Sequence, residues 1–101
     1  MMLRIIHGAL KPGTWDSFER TYKDVMAKAG KISGLKGRWL AHRVDDPDAG
    51  YTMSLWENEA ALRAYESGDI LQKTVLPPLK PFFSGDYTTT YCEVGFAQEF
   101  D

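Results

Sequence analysis

The spacing of hydrophobic residues along the first third of the chain predicts a strand followed by a helix. Met2–Leu10 is predicted as a strand because it is rich in strand-forming residues and ends at the turn-forming Lys11-Pro12-Gly13. The period then lengthens to three and four residues, which is typical of an amphipathic helix. The apolar stripe of this helix consists of Trp15, Phe18, Tyr22, Val25, Met26 and Ala29. Thr14 is predicted to cap its start and Gly30 to end it.

Alternation returns in the middle of the chain and predicts a hairpin. Leu35–Asp45 is predicted as the second strand, and Tyr51–Trp56 as the third, with the turn-forming residues 45–50 between them. One face of the second strand is predicted to hold Leu35, Gly37, Trp39 and Ala41, and the other Lys36, Arg38, Leu40, His42 and Val44. Large apolar side chains therefore fall on both faces of the predicted sheet.

The last third of the chain predicts a second helix and a fourth strand. Asn58 is expected to cap the helix, whose inward residues are Ala61, Leu62 and Tyr65, and Gly68 to stop it. A short helical piece, Ile70–Leu76, is expected to end at Pro77-Pro78. Asp86–Phe96 contains a run of β-branched and aromatic residues and is predicted as the fourth strand.

The predicted order βαββαβ indicates an α+β, ferredoxin-like fold in one domain, residues 1–101. Such a fold has a four-stranded antiparallel sheet with both helices on one face. Because the second face is also apolar and large exposed apolar patches are rare on monomers, we expect a homodimer that packs sheet against sheet.

Composition and charge exclude several classes of protein. Twelve Lys and Arg against fourteen Asp and Glu, with no basic run, argue against nucleic acid as a partner. The chain contains no run of about 18 apolar residues, so we expect no membrane span. The single cysteine, Cys92, excludes an internal disulfide and is typical of a reducing compartment, so we expect a cytoplasmic protein. Cys92 itself is expected to be a small buried residue rather than a nucleophile.

Three segments resemble the antibiotic biosynthesis monooxygenase family. They are Gly34–Gly37, Asp46-Pro47 in the hairpin loop, and Ser54–Tyr65, in which a strand-ending tryptophan is followed by a helix cap and an Ala-rich helix. The resemblance implies a dimeric α+β barrel with a pocket between helices and sheet in each protomer. It also implies, as in characterised members, oxygenation of aromatic polyketides without a cofactor, or breakdown of haem.

The resemblance and the residue types together suggest candidate site residues. Trp56 corresponds to the family's strand tryptophan, and Thr52 stands where polyketide-oxidising members have an asparagine. Since histidine exchanges protons near neutral pH, we expect His7 or Tyr65 to assist proton transfer. Aromatic and cationic side chains suit a flat phenolic anion, so we expect substrate binding by Trp39, Arg38, Arg43, Tyr51 and Thr52. The catalytic set is therefore His7, Tyr65 and Trp56.

Several alternatives remain open from the sequence. We expect no metal site, because His7 and His42 lie on different strands without a companion at ligand spacing, and no nucleotide cofactor, because no glycine-rich phosphate loop is present. The lead hypothesis is therefore a monooxygenase that needs no cofactor and oxidises an anthrone or hydroquinone to a quinone. Haem breakdown is the alternative enzyme, although Ile6, Tyr65 and Val75 stand where haem-degrading members have asparagine, tryptophan and the ligating histidine. A non-catalytic ligand-binding dimer and, more distantly, a lactone isomerase also use this fold.

Overall fold

The computed structural model describes residues 1–100, and Asp101, the last residue of the predicted domain, lies outside them. Four antiparallel strands form one sheet in the order β2-β3-β1-β4. The elements are β1 (Met2–Ala9), α1 (Trp15–Ala29), β2 (Leu35–His42), β3 (Ala49–Trp56), α2 (Glu59–Ser67) and β4 (Thr88–Glu93). The ferredoxin-like prediction is confirmed.

Helix α1 buries the stripe that its spacing predicts, with Trp15, Phe18, Tyr22 and Val25 all buried. Gly30 ends the helix at φ +66°, and its N–H donates to the carbonyl of Met26 at 3.1 Å. Thr14 stands at the first cap position, but its hydroxyl donates to the carbonyl of Lys11 at 2.6 Å. The prediction that its side chain caps the helix is therefore wrong, because the preceding turn binds the hydroxyl instead.

Helix α2 has the cap and the inward face that the sequence predicts. Asn58 Oδ1 accepts the backbone N–H of Ala61 at 2.9 Å. Leu62 is completely buried and Tyr65 nearly so. On the outer face, Arg63 pairs with Glu59 one turn earlier at 3.5 Å.

The segment after α2 is longer and less regular than predicted. A π-helical stretch, Ile70–Val75, leads directly into a one-turn helix, α3 (Leu76–Leu79), and a 3₁₀ turn, Lys80–Phe82. The predicted end at Pro77-Pro78 is wrong, because prolines in the first turn of a new helix lack only N–H groups that would have no helical partner. Burial of Leu71, Val75 and Leu79 against the core stabilises the segment.

The two faces of the sheet are different environments. Strand alternation directs Arg4, Ile6, Arg38, Leu40, Thr52, Ser54 and Trp56 toward the helices, and Leu3, Ile5, His7, Trp39, Met53 and Leu55 toward the opposite face, called here the open face. Lys36 forms a bulge between Leu35 and Gly37. Leu35 therefore packs into the core beneath the helices, and the prediction that it shares a face with Trp39 is wrong.

Cys92 is exposed, since it pairs with Leu3 on the open face of the edge strand β4. The expectation that it is buried is wrong for the single chain, because no element covers that face. Within residues 1–100 no helix is long and apolar enough to cross a membrane. A cytoplasmic location stays a prediction.

Two glycines test how closely the loop before β2 packs on α2. Gly13 and Gly34 both have positive φ, +75° and +82°, but only at Gly34 would an added Cβ overlap another atom, the Cβ of Ala61. We expect Gly13→Ala to lower the free energy of unfolding by about 1–2 kcal/mol, from backbone strain alone. We expect Gly34→Ala to lower it clearly more in denaturant titration.

Adding Ala61→Gly to the Gly34→Ala variant provides the control, because it removes the overlap and leaves the strain. Part of the lost stability should return. Equal losses for Gly13→Ala and Gly34→Ala would contradict the close packing of this loop on α2.

Candidate functional site

A polar row crosses the helix-covered face of the sheet. Ser54 on β3 pairs with Arg38 on β2 and with Arg4 on β1, so the three side chains lie side by side. Tyr91 on β4 continues the row beyond Arg4. Charged residues on a face that also holds Trp56 and Leu40 are unusual, because burying a charge is costly unless it is paired. This row is therefore the first candidate for a binding site.

A cavity of about 90 Å³ lies between this row and the helices. Its floor includes Arg4, Arg38 and Ser54, and the next row of the sheet adds Leu40, Thr52 and Ile6. Its roof is built from α1, α2 and the π-helical segment, with Tyr22, Met26, Tyr65, Leu71 and Val75. Apolar walls with a few convergent polar groups are the usual form of a small-molecule site.

Glu66 on α2 holds Arg4 in place. Its Oε2 accepts from Arg4 Nε at 3.0 Å and from the Tyr91 hydroxyl at 2.5 Å, and its Oε1 accepts from Arg63 Nη1 at 2.9 Å. The Arg63 guanidinium also lies 4.4 Å from the centre of the Tyr91 ring. Burial favours the neutral carboxyl, but the hydrogen bonds from Tyr91, Arg63 and Arg4 outweigh it, and the pKa of Glu66 is lowered.

Arg38 differs from Arg4 in having no carboxylate partner. Within residues 1–100 no Asp or Glu lies within ion-pair distance of it. It lines the cavity and is only partly exposed. Its charge is therefore available to an anion in the cavity.

The two buried phenols of the roof are neutral hydrogen-bond donors at physiological pH. Burial raises the pKa of Tyr22 to about 12, although Arg38 and Arg4 oppose the rise. Burial also raises the pKa of Tyr65, again against Arg38 and Arg4. Neither phenol is suited to accept a proton from a substrate near pH 7.

Trp56 closes one end of the floor. It is 1% exposed, its Nε1–H donates to Ser54 Oγ at 2.8 Å, and its ring lies 4.9 Å from that of Tyr65. Because Ser54 Oγ accepts this bond, its own proton is left to donate elsewhere. Trp56 thus orients the serine at the centre of the polar row.

The structure brings some of the predicted site residues together around the cavity. Trp56, Tyr65, Arg38 and Thr52 line it. Tyr51 borders the cavity only with its backbone. Its ring lies on the open face and stacks on His7, with 4.7 Å between the ring centres.

The other predicted residues lie elsewhere. His7 is on the open face, across the sheet from Trp56 and Tyr65, and its buried Nε2 has no hydrogen-bond partner within residues 1–100. Trp39 is on the same face and 50% exposed. Arg43 follows β2 and forms a two-pronged bond with Asp45, at 2.8 and 2.7 Å. These three side chains do not share a site with Trp56 and Tyr65.

Among residues 1–100, the cavity offers haem neither a histidine nor a cysteine ligand. None of its lining residues is a histidine or a cysteine, and His42 stacks on Trp15 at 4.0 Å while its Nε2 lies 2.9 Å from the Pro47 carbonyl. Its volume is also far below the roughly 300–1,000 Å³ that encloses a drug-sized ligand. Across residues 1–100 no three His, Cys, Asp or Glu side chains are grouped as metal ligands.

Sequence reasoning missed Arg4 and Glu66. Arg4 carried a signal, since it is the one charged residue within an otherwise apolar first strand. Tyr22 lies on the predicted apolar stripe of α1, whereas no role was predicted for Glu66. Only the fold brings Arg4 of β1 and Tyr22 of α1 to one cavity and places Glu66 of α2 behind Arg4.

No model of a known protein family matches this sequence, and no curated protein matches it. Solved structures do match over nearly the whole chain. A protein from Nitrosomonas europaea, provisionally described as an antibiotic biosynthesis monooxygenase, has a TM-score of 0.80 at 10% identity over 95% of this chain and 100% of its own. Another structure described as an antibiotic biosynthesis monooxygenase has a TM-score of 0.76 at 18% identity, over 93% and 98%.

A mutant of MhuD, with two manganese protoporphyrin IX molecules bound per active site, has a TM-score of 0.82 at 16% identity, over 99% of this chain and 100% of its own. The structural neighbours across the chain are thus proteins of the antibiotic biosynthesis monooxygenase family, and the resemblance in the sequence is confirmed at the level of fold. Identities this low carry the fold and not the reaction.

The lowered pKa of Glu66 predicts how this carboxylate affects stability with pH. Because the folded pKa is lowered, its stabilising contribution is complete above the unfolded value of 4.5 and is lost as pH falls through the folded pKa. We expect Glu66→Gln to melt at a lower temperature than wild type at pH 7, and the difference to shrink as pH falls below about 4.5.

Comparing the two proteins at each pH cancels the contributions of other carboxylates. Glu99→Gln, in the exposed C-terminal segment, is the matched control and should melt with the wild type throughout. A Glu66→Gln difference that is constant with pH would show that the carboxylate charge does not stabilise the network.

Proposed function

We propose that this protein is a monooxygenase that needs no cofactor and oxidises an electron-rich, single-ring aromatic such as a hydroquinone to a quinone. The observation that carries the proposal is the Arg38 guanidinium in the floor of an apolar cavity, where no Asp or Glu of residues 1–100 pairs with it. A cation there stabilises the phenolate form of a substrate, which is the form that reacts with oxygen.

In the proposed reaction the substrate supplies the electrons. The phenolate transfers one electron to O₂, and the resulting radical and superoxide combine at a ring carbon to form a hydroperoxide. Loss of water then leaves a carbonyl at that carbon. One oxygen atom of O₂ enters the product and the other leaves as water, so a hydroquinone yields a hydroxyquinone.

The protein residues bind and polarise rather than exchange protons. Arg38 holds the phenolate oxygen, and the hydroxyls of Thr52, Ser54 and Tyr65 are available as donors to it. Trp56 shapes the apolar wall and fixes Ser54. Because no Asp, Glu or His among residues 1–100 lines the cavity, we propose that the substrate loses its proton to solvent on binding, and His7 takes no part in the transfer.

The size of the cavity favours a small substrate. At about 90 Å³ it is below the range for drug-sized ligands, so a single ring is favoured over a three-ring anthrone. Among the alternatives, haem is disfavoured, even though manganese protoporphyrin IX binds to the related fold of MhuD. A non-catalytic binding protein would use the same cavity without turnover.

We further propose that two copies pair through their open faces. In the single chain this face leaves Trp39 half exposed and Leu3, Ile5, Met53 and Leu55 only partly buried. Proteins with this fold typically dimerise. Sheet-to-sheet pairing would remove this apolar surface from water and cover Cys92 and His7.

The reaction is tested by oxygen consumption with a hydroquinone, followed together with quinone absorbance. We expect one O₂ consumed per hydroxyquinone formed. Arg38→Met should lower kcat/KM about 10- to 100-fold, because a hydrogen bond to a charged group contributes about 1.5–3 kcal/mol and each 1.36 kcal/mol is tenfold.

Arg20→Met is the matched control, since Arg20 is exposed on α1 and its removal changes the net charge equally. It should retain wild-type turnover. Saturable binding of hydroquinone without oxygen uptake would reject the monooxygenase in favour of a binding protein. An Arg38→Met variant as active as wild type would reject the role of Arg38.

The dimer is tested by light scattering at micromolar concentration. We expect a mass of twice 11.4 kDa for the wild type. Trp39→Glu would place a charge in the apolar contact, and we expect a folded monomer. Val44→Glu, at a fully exposed hairpin position, is the control and should remain dimeric. A wild-type monomer would contradict the pairing.

A further inference from the structure

We propose that the substrate is an aromatic hydroxy acid, whose carboxylate is bound by the terminal amino groups of Arg4 while its phenolic oxygen faces Arg38. This inference deepens the proposed function and rests on it for the fate of the phenol. The carboxylate site itself depends only on the geometry around Arg4.

The two terminal amino groups of Arg4, Nη1 and Nη2, called here the fork, are free to bind a ligand. The hydrogen bond to Glu66 uses Nε alone, and within residues 1–100 neither Nη1 nor Nη2 has a hydrogen-bond partner. Its side chain is 12% exposed and lines the cavity. A guanidinium fixed through Nε presents parallel N–H donors that match the two oxygens of a carboxylate.

Charge around the cavity also favours an acid. Arg4 and Arg38 are its only charged lining residues among residues 1–100, so no carboxylate faces the ligand. Glu66 lies behind Arg4, and its single negative charge accepts hydrogen bonds from Arg4, Arg63 and the Tyr91 hydroxyl. The neutralisation of Arg4 is therefore incomplete, and a bound anion completes it.

The spacing of the two arginines suits a single ring with a group at each end. Both pair with Ser54 from opposite sides, and neighbouring strands lie about 4.8 Å apart, so their backbones are separated by about two strand spacings. Both guanidiniums also oppose the rise in the pKa of Tyr22 and Tyr65, which places their charges close to the cavity's roof. In the proposed complex the carboxylate therefore lies beside Arg4 and the phenolic oxygen beside Arg38, on opposite sides of Ser54.

The first test compares three ligands on the wild-type protein. The probes are 2,5-dihydroxybenzoate, its uncharged amide, and hydroquinone, and binding is read from the fluorescence of Trp15 and Trp56, which line the cavity. We expect the acid to bind about tenfold or more tightly than the amide, since a charge-assisted pair contributes about 1.5–3 kcal/mol. Equal affinity for acid and amide overturns the proposal.

Variants then locate the carboxylate. Arg4→Met should abolish the preference for the acid, and Arg4→Lys should keep only part of it, because an ammonium has the charge without the fork. Arg20→Met is the matched surface control and should keep the full preference. If Arg4→Met does not fold, Arg4→Lys decides, and a full preference in a folded Arg4→Lys variant overturns the role of the fork.

Oxygen uptake separates this inference from the proposed function. Tight binding that prefers the acid, without oxygen uptake, would support the carboxylate site and contradict the proposed oxidation. Oxidation of hydroquinone without tighter binding of the acid would support the monooxygenase and contradict the carboxylate site.

Discussion

The Arg4 guanidinium lies beneath the helices and needs a partner charge there, and the contacts that provide it link the main elements of the fold. A charge on the covered face of a small sheet destabilises the fold unless it is paired, and Glu66 provides the pair at 3.0 Å. Because Glu66 also binds Tyr91, one carboxylate links α2 to the central strand and to the edge strand β4. The same contact leaves the outer fork of Arg4 facing the cavity, so one ion pair both fixes the fold and prepares the site.

Most of the fold could be predicted because local patterns agree with it. The stripe of α1, the Asn58 cap and the alternation of β3 each specify one element whatever surrounds them. The errors arise where context decides. The bulge at Lys36 turns Leu35 to the other face, and the core holds a π-helical segment together where the prolines alone suggest an end.

Less of the site could be predicted, because a site depends on which faces meet. The spacing along one strand predicts that Arg38 and Trp39 point to opposite sides, but not which side the helices cover. His7 and Trp39 therefore entered the predicted site although they lie on the open face, whereas Arg4 and Glu66, 62 residues apart in sequence, were missed. Trp56, suggested by the family resemblance, and Tyr65, predicted on the inward face of α2, both line the cavity.

If the cavity stabilises an organic anion as proposed, it lowers the pKa of a bound phenol. A nitrophenol, whose phenolate has its own visible absorbance, can be titrated free and bound to the protein. Burial raises the pKa of a phenol, as it does for Tyr22 and Tyr65, whereas direct contact between a guanidinium and the phenolate oxygen lowers it. We expect a lower pKa for the bound nitrophenol than for the same phenol in water. An unchanged or higher pKa would contradict it.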